Sequence, residues 1–148
     1  MTTFFEHQRT SFKRNYLSNL IALASSDGNL DELERQLIHK IGKKRGLKEW
    51  QINELLEDQT PKQAFVPDSI HNRMEMLYDL MQIIYADEKV TDDEVDFITD
   101  IVRAYKLKLE IVDHLIAMFS TGTPLAYEWK EFVDRVTLET YEPRPTIL

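Results

Sequence analysis

Two stretches of this chain carry carboxylates at the same spacing. Ser26-Asp27-Gly28-Asn29-Leu30-Asp31-Glu32-Leu33-Glu34 and Ala86-Asp87-Glu88-Lys89-Val90-Thr91-Asp92-Asp93-Glu94 each place an Asp seven residues before a Glu, with an aliphatic residue between them. Carboxylates gathered on a bent segment suit a hard cation such as calcium, which takes roughly six to eight oxygen ligands. Asp27-Gly28-x-Leu30-x-x-x-Glu34 matches the closing half of an EF-hand loop: a ligand, the turn glycine, an aliphatic residue and a final Glu. The opening half is missing. Leu23 and Ser25 stand four and two residues before Asp27, and Ile83 and Tyr85 stand before Asp87, where acids or amides belong. Neither stretch is an EF-hand.

The same residues have a second reading. Asp31-x-x-Glu34 and Thr91-x-x-Glu94 each fit a capping box, in which the first side chain and the Glu satisfy each other's free backbone amides at a helix start. Acids in a first helical turn also complement its dipole. Capping accounts for Glu34 and Glu94 without a metal. It accounts less well for Asp27 and Asp87, which could each make a local turn bond but recur beside different neighbours, Gly28 and Glu88. On spacing alone both readings stand.

The elements around these junctions repeat as well. An offset of 60 residues aligns Leu17 to Leu56 with Leu77 to Ile116 without a gap, and Leu20/Leu80, Ile38/Ile98, Ile41/Ile101 and Leu55/Leu115 are identical pairs. Apolar residues at spacings of three and four predict helices. Thr3-x-x-Glu6 could cap a first short helix. Phe12, Tyr16, Leu17, Leu20, Ile21 and Ala24 form the apolar face of the next; Leu33, Leu37, Ile38 and Ile41 that of a second; Trp50, Ile52, Leu55 and Leu56 that of a third. Gly46 is placed to end the second helix. The second unit repeats the plan with Met74, Leu77, Tyr78, Met81 and Ile84, then Phe97, Ile98, Ile101 and Val102, then Leu109, Val112, Leu115, Ile116 and Phe119. Residues 59–69, with Pro61 and Pro67, connect the units. Pro124 suits a helix start, and a last helix over about 124–141 precedes a tail at 142–148. No stretch alternates apolar and polar residues at strand length. The expectation is a single all-α domain over residues 1–148: one bundle of about seven or eight helices, built on an internal duplication of a three-helix unit at 17–56 and 77–116.

Composition narrows the function. The chain has 148 residues, no cysteine and a net charge of −8. Thiolate metal sites, disulfides and cysteine nucleophiles are excluded. The N-terminus lacks a signal-peptide layout, and no apolar run reaches the roughly 18–20 residues that span a bilayer, so a cytoplasmic protein without membrane contact is expected. Residues 1–66 carry 10 basic and 9 acidic side chains, a balance of +1, and residues 67–148 carry 8 and 17, a balance of −9. Arg35 to Lys48 holds six basic residues and no acid, whereas Asp87 to Asp100 holds seven acids against Lys89. Overall acidity argues against a nucleic-acid partner. The basic run reads either as a solvated helix face or as one side of a head-to-tail protein contact. Trp129, Phe132 and Tyr127 read as core, an exposed subset of aromatics marking a partner or homodimer surface. His7, His39, His71 and His114 show no metal spacing, and phosphate-cradling glycine loops and nucleophile motifs are absent. No catalytic residue and no enzymatic activity are expected.

The paired motifs resemble the TerB-like domains found in tellurite resistance proteins and at the N-terminus of the DjlA co-chaperone. Those domains carry Ala/Ser-Asp-Gly or Ala-Asp-Glu followed by a Glu seven residues after the Asp, on internally similar helical halves; here the matches are Ser26-Asp27-Gly28…Glu34 and Ala86-Asp87-Glu88…Glu94. The likeness covers roughly residues 15–120. It implies a divalent-cation site, with calcium the leading candidate, built from Asp27, Glu34, Asp87 and Glu94 with Asp31 and Glu88 as auxiliaries, and a role in stress or tellurite resistance exercised through a protein partner. The second copy lacks the glycine and has Thr91 where the first has Asp31. The chain shows no apolar anchor and no His-Pro-Asp of a J-domain, so a free-standing module is the expectation.

Overall fold

A computed structural model describes residues 4–26, 28–60, 62–87 and 90–140. Among them are seven α-helices and no strand: α1 (Phe4–Ala24), α2 (Glu32–Lys44), α3 (Glu49–Glu57), α4 (Ile70–Ile84), α5 (Asp92–Ala104), α6 (Ile111–Phe119) and α7 (Ala126–Thr140), with a single 3-10 turn at Tyr85–Asp87. The all-helical architecture follows from the apolar spacing. One continuous helix replaces the two expected before Ser25, and Thr3, its proposed cap, lies outside the described residues. The last helix starts two residues after Pro124, and residues 141–148 also lie outside. Residues 62–69 form no helical turn.

The chain falls into two compact units. The first holds α1, α2, α3 and the later turns of α4 from Met76; the second holds α5, α6, α7 and the start of α4 up to Glu75. In the first unit, α1 packs on α2 and α3, and α2 on α3. Leu17, Leu20, Ile38, Ile52, Leu77 and Leu80 are buried there. Gly42 permits the close approach of these helices: a Cβ at that position would stand 2.8 Å from Ile52 Cδ1 and 3.1 Å from Leu17 Cδ2. In the second unit, α5 packs on α6, and Ile98, Val102, Leu115, Phe119 and Phe132 are buried. Phe119 meets Trp129 edge-on with centroids 6.1 Å apart, and Trp129 lies 5.6 Å from Phe132.

Five residues expected inside are exposed: Phe12, Leu33, Trp50, Leu109 and Tyr127. Leu33, Trp50, Leu109 and Tyr127 stand within a residue or two of a helix start. At such ends the chain turns away from the packed face, so helical spacing stops predicting burial.

The helix ends are closed by backbone chemistry. After α2, Gly46 adopts a left-handed φ of 98°, and the Leu47 N–H donates to the Gly42 carbonyl at 2.9 Å. After α5, Lys106 takes the same turn at φ 58°, and the Leu107 N–H donates to the Val102 carbonyl at 3.1 Å. Both are Schellman closures, which satisfy carbonyls that have no partner within the helix.

Candidate functional site

At the start of α2, Asp31 is the N-cap. Its Oδ1 accepts the Glu34 N–H at 2.7 Å, and Glu34 Oε1 accepts the Asp31 N–H at 3.1 Å. At the start of α5, Thr91 Oγ1 accepts the Glu94 N–H at 3.2 Å, and Glu94 Oε1 accepts the Thr91 N–H at 3.1 Å. Both capping boxes therefore form. The structure brings Asp31 to Glu34, and Glu94 to Thr91. Asp27 and Glu88 lie outside the described residues, and Asp87 closes the 3-10 turn that precedes α5. Among the described residues, no three His, Asp or Glu side chains are grouped as a metal site.

The first junction opens onto a cleft of about 840 Å³. Ser25, Asn29 and Arg35 line one side, Glu57, Asp58 and Lys62 the other, with Ile21 and Leu56 supplying apolar surface. The wall after α3 is braced locally. The Thr60 N–H donates to Asp58 Oδ1 at 2.9 Å, and this bond holds the Asp58 carboxyl below its ordinary value; Lys62 Nζ donates to the Asp58 carbonyl at 3.0 Å. Charges of both signs thus share one opening.

The first unit also holds a buried polar cluster that helical spacing does not predict. Asp79 is only 3% exposed. Its Oδ2 accepts the Tyr16 hydroxyl at 2.6 Å and Arg45 Nε at 3.0 Å, with Arg45 Nη2 at 2.9 Å, while Gln82 Nε2 reaches Oδ1 at 3.3 Å. The Arg45 guanidinium also lies over the Tyr16 ring, 5.1 Å from its centroid. A buried carboxylate is tolerated only when paired and hydrogen-bonded in this way. Asn19, 1% exposed, bonds the Phe65 backbone twice: its Nδ2 donates to the Phe65 carbonyl at 3.0 Å, and its Oδ1 accepts the Phe65 N–H at 2.8 Å. A signal for both existed in the sequence. Asn19 and Asp79 are 60 residues apart and interrupt the same apolar stripe, just before Leu20 and Leu80.

The basic run from Arg35 to Lys48 divides by task. Arg35 lines the cleft and Arg45 pairs with Asp79, while Lys40, Lys43, Lys44 and Lys48 are exposed. Trp50, 57% exposed, has the Arg14 guanidinium 5.4 Å from its ring centroid. On α5, Asp92, Asp93, Asp96 and Asp100 are exposed. No helix among the described residues is long and apolar enough to cross a membrane. No protein-family model, curated protein or solved structure matches the chain.

Proposed function

We propose that this chain is a non-enzymatic, all-helical protein-interaction module in which Glu34 and Glu94 serve as helix caps. The observation that supports this reading is the pair of capping boxes, which engages both glutamates with backbone amides at 3.1 Å. A cap fixes where a helix begins and hence which side chains it presents. The same reading takes the two boxes as copies of one three-helix unit, since α2 and α5 occupy thirteen residues each at an offset of 60.

A second reading keeps the resemblance to TerB-like domains: a divalent cation, calcium foremost, bound through Asp27, Glu34, Asp87 and Glu94 and tied to stress or tellurite resistance. It is favoured by one feature. Asp27 and Asp87 belong to neither capping box, so the caps give no reason for their recurrence.

Thermal unfolding after chelation, with and without added calcium or magnesium, separates the two. A ligand that binds only the native state raises the midpoint in proportion to its logarithmic excess. The module reading expects no shift at millimolar calcium, and a loss of about 1 kcal/mol for Glu94→Ala whether or not calcium is present. A calcium-dependent rise that Asp27→Asn/Asp87→Asn abolishes would overturn it in favour of the cation site.

A further inference from the structure

We propose that the chain associates with itself head to tail, the basic face of α2 in one copy seating the acidic face of α5 in another. The inference rests on the interaction-module reading and names the partner. On α2, Lys40, Lys43 and Lys44 form an exposed stripe, and Lys48 and Trp50 extend it past the turn into α3. Lys13 joins from α1, its Nζ lying 2.7 Å from where a Cβ on Gly46 would stand. Arg14 stacks on exposed Trp50 and reaches Glu54 at 3.3 Å. Tryptophan and arginine are both enriched among the residues that dominate binding energy at protein interfaces. Lys43 faces Glu49 at 4.0 Å, with both side chains more than half exposed. Such an exposed, long contact is worth little and leaves the stripe electropositive.

The complementary stripe lies on α5. Asp92, Asp96 and Asp100 recur every fourth residue along the exposed side of α5, with Asp93 beside them. Arg103, near the end of that helix, reaches back to Asp100 at 3.3 Å. Lys40 and Lys44, like Asp96 and Asp100, stand one turn apart, about 6 Å along a helix axis. Two helices of thirteen residues thus carry opposite charges at the same spacing. Because each copy carries both stripes, the contact either repeats head to tail into a chain or ring or is made twice, reciprocally, in a two-fold dimer. A net charge of −8 repels copies at long range, but that repulsion fades beyond about 8 Å at physiological salt, whereas pairs in contact persist.

Sedimentation velocity on the full chain over a concentration series tests this. At physiological salt the weight-average mass should rise to twice the 17.5 kDa monomer or beyond, and it should return to the monomer near 1 M salt, where the screening length is about 3 Å. Lys40→Glu/Lys44→Glu and Asp96→Lys/Asp100→Lys should each be monomeric with wild-type helicity by circular dichroism. Their equimolar mixture should associate again, since one variant keeps the acidic stripe and the other the basic one, an outcome misfolding cannot produce. A wild type that stays monomeric, an assembly that ignores either variant, or a mixture of folded variants that stays monomeric overturns the head-to-tail contact. None of these bears on the module reading, which the calcium titration decides separately.

Discussion

Helices α2 and α5 begin on the same kind of capping box and end on the same backbone turn, yet Arg45 follows the first and Tyr105 the second. Arg45 sends its guanidinium to buried Asp79 and across the face of Tyr16. Tyr105 is 2% exposed, and its hydroxyl meets no hydrogen-bond partner among the described residues. Its carbonyl accepts Arg73 Nη1 at 3.2 Å, so there the cation serves the helix end directly. The two C-cap residues have taken opposite solutions: an ion pair inside the first unit, an aromatic ring inside the second. A backbone pattern therefore decides where a side chain sits without deciding whether the site is polar.

Removing the charge from the first solution should have the largest effect. Asp79→Ala leaves Arg45 and Tyr16 without the carboxylate they share, and the expected loss is about 3–5 kcal/mol by urea unfolding. If the loss were under about 1 kcal/mol, the ion pair would not organise the first unit.

The two buried tyrosines give the next contrast. Tyr16→Phe deletes a hydrogen bond of 2.6 Å to a carboxylate and should cost about 1.5–3 kcal/mol. Tyr105→Phe deletes a hydroxyl that bonds nothing described, so stability should hold or rise by about 1 kcal/mol. Burial pushes the Tyr105 hydroxyl up from 10.0 to about 12, with Arg73 opposing. Its neutral form is the one the fold favours. The Tyr105 contribution is thus whole below pH 10.0 and is lost as pH climbs towards about 12. Replacing Tyr105 by Phe should flatten that part of the alkaline stability curve.

The smallest test concerns the turns. Lys106 holds a left-handed backbone that Gly46 adopts without strain. Lys106→Gly should therefore stabilise the second unit by about 1 kcal/mol, seen as a higher urea midpoint. No gain would mean that contacts of the lysine side chain offset the strain.

Much of this is legible in the sequence. Asp31-x-x-Glu34 and Thr91-x-x-Glu94 mark both helix starts because capping is local chemistry, complete within four residues. Gly46 marks an end for the same reason. The Tyr16–Asp79–Arg45 cluster was not legible, because its members are 63 and 34 residues apart along the chain and only packing brings them together. Trp50 and Phe12 read as core because helical spacing reports that a face is apolar, not whether a neighbour covers it. The cleft beside the first junction is hidden likewise, since the sequence does not show that Glu57 and Asp58 share an opening with Ser25 and Asn29.

Asn19 offers a different kind of consequence. Residues 62–66 carry no helix or strand, and the Phe65 side chain is exposed, so their amides should trade protons with solvent at close to the rate of a free peptide. The Phe65 amide is the exception, because its hydrogen is held by a side chain that is itself sealed inside α1. In a hydrogen-exchange spectrum it should stand as one slow signal among fast ones. Its decay would time how often the connector detaches from α1, a clock for local opening that needs no label.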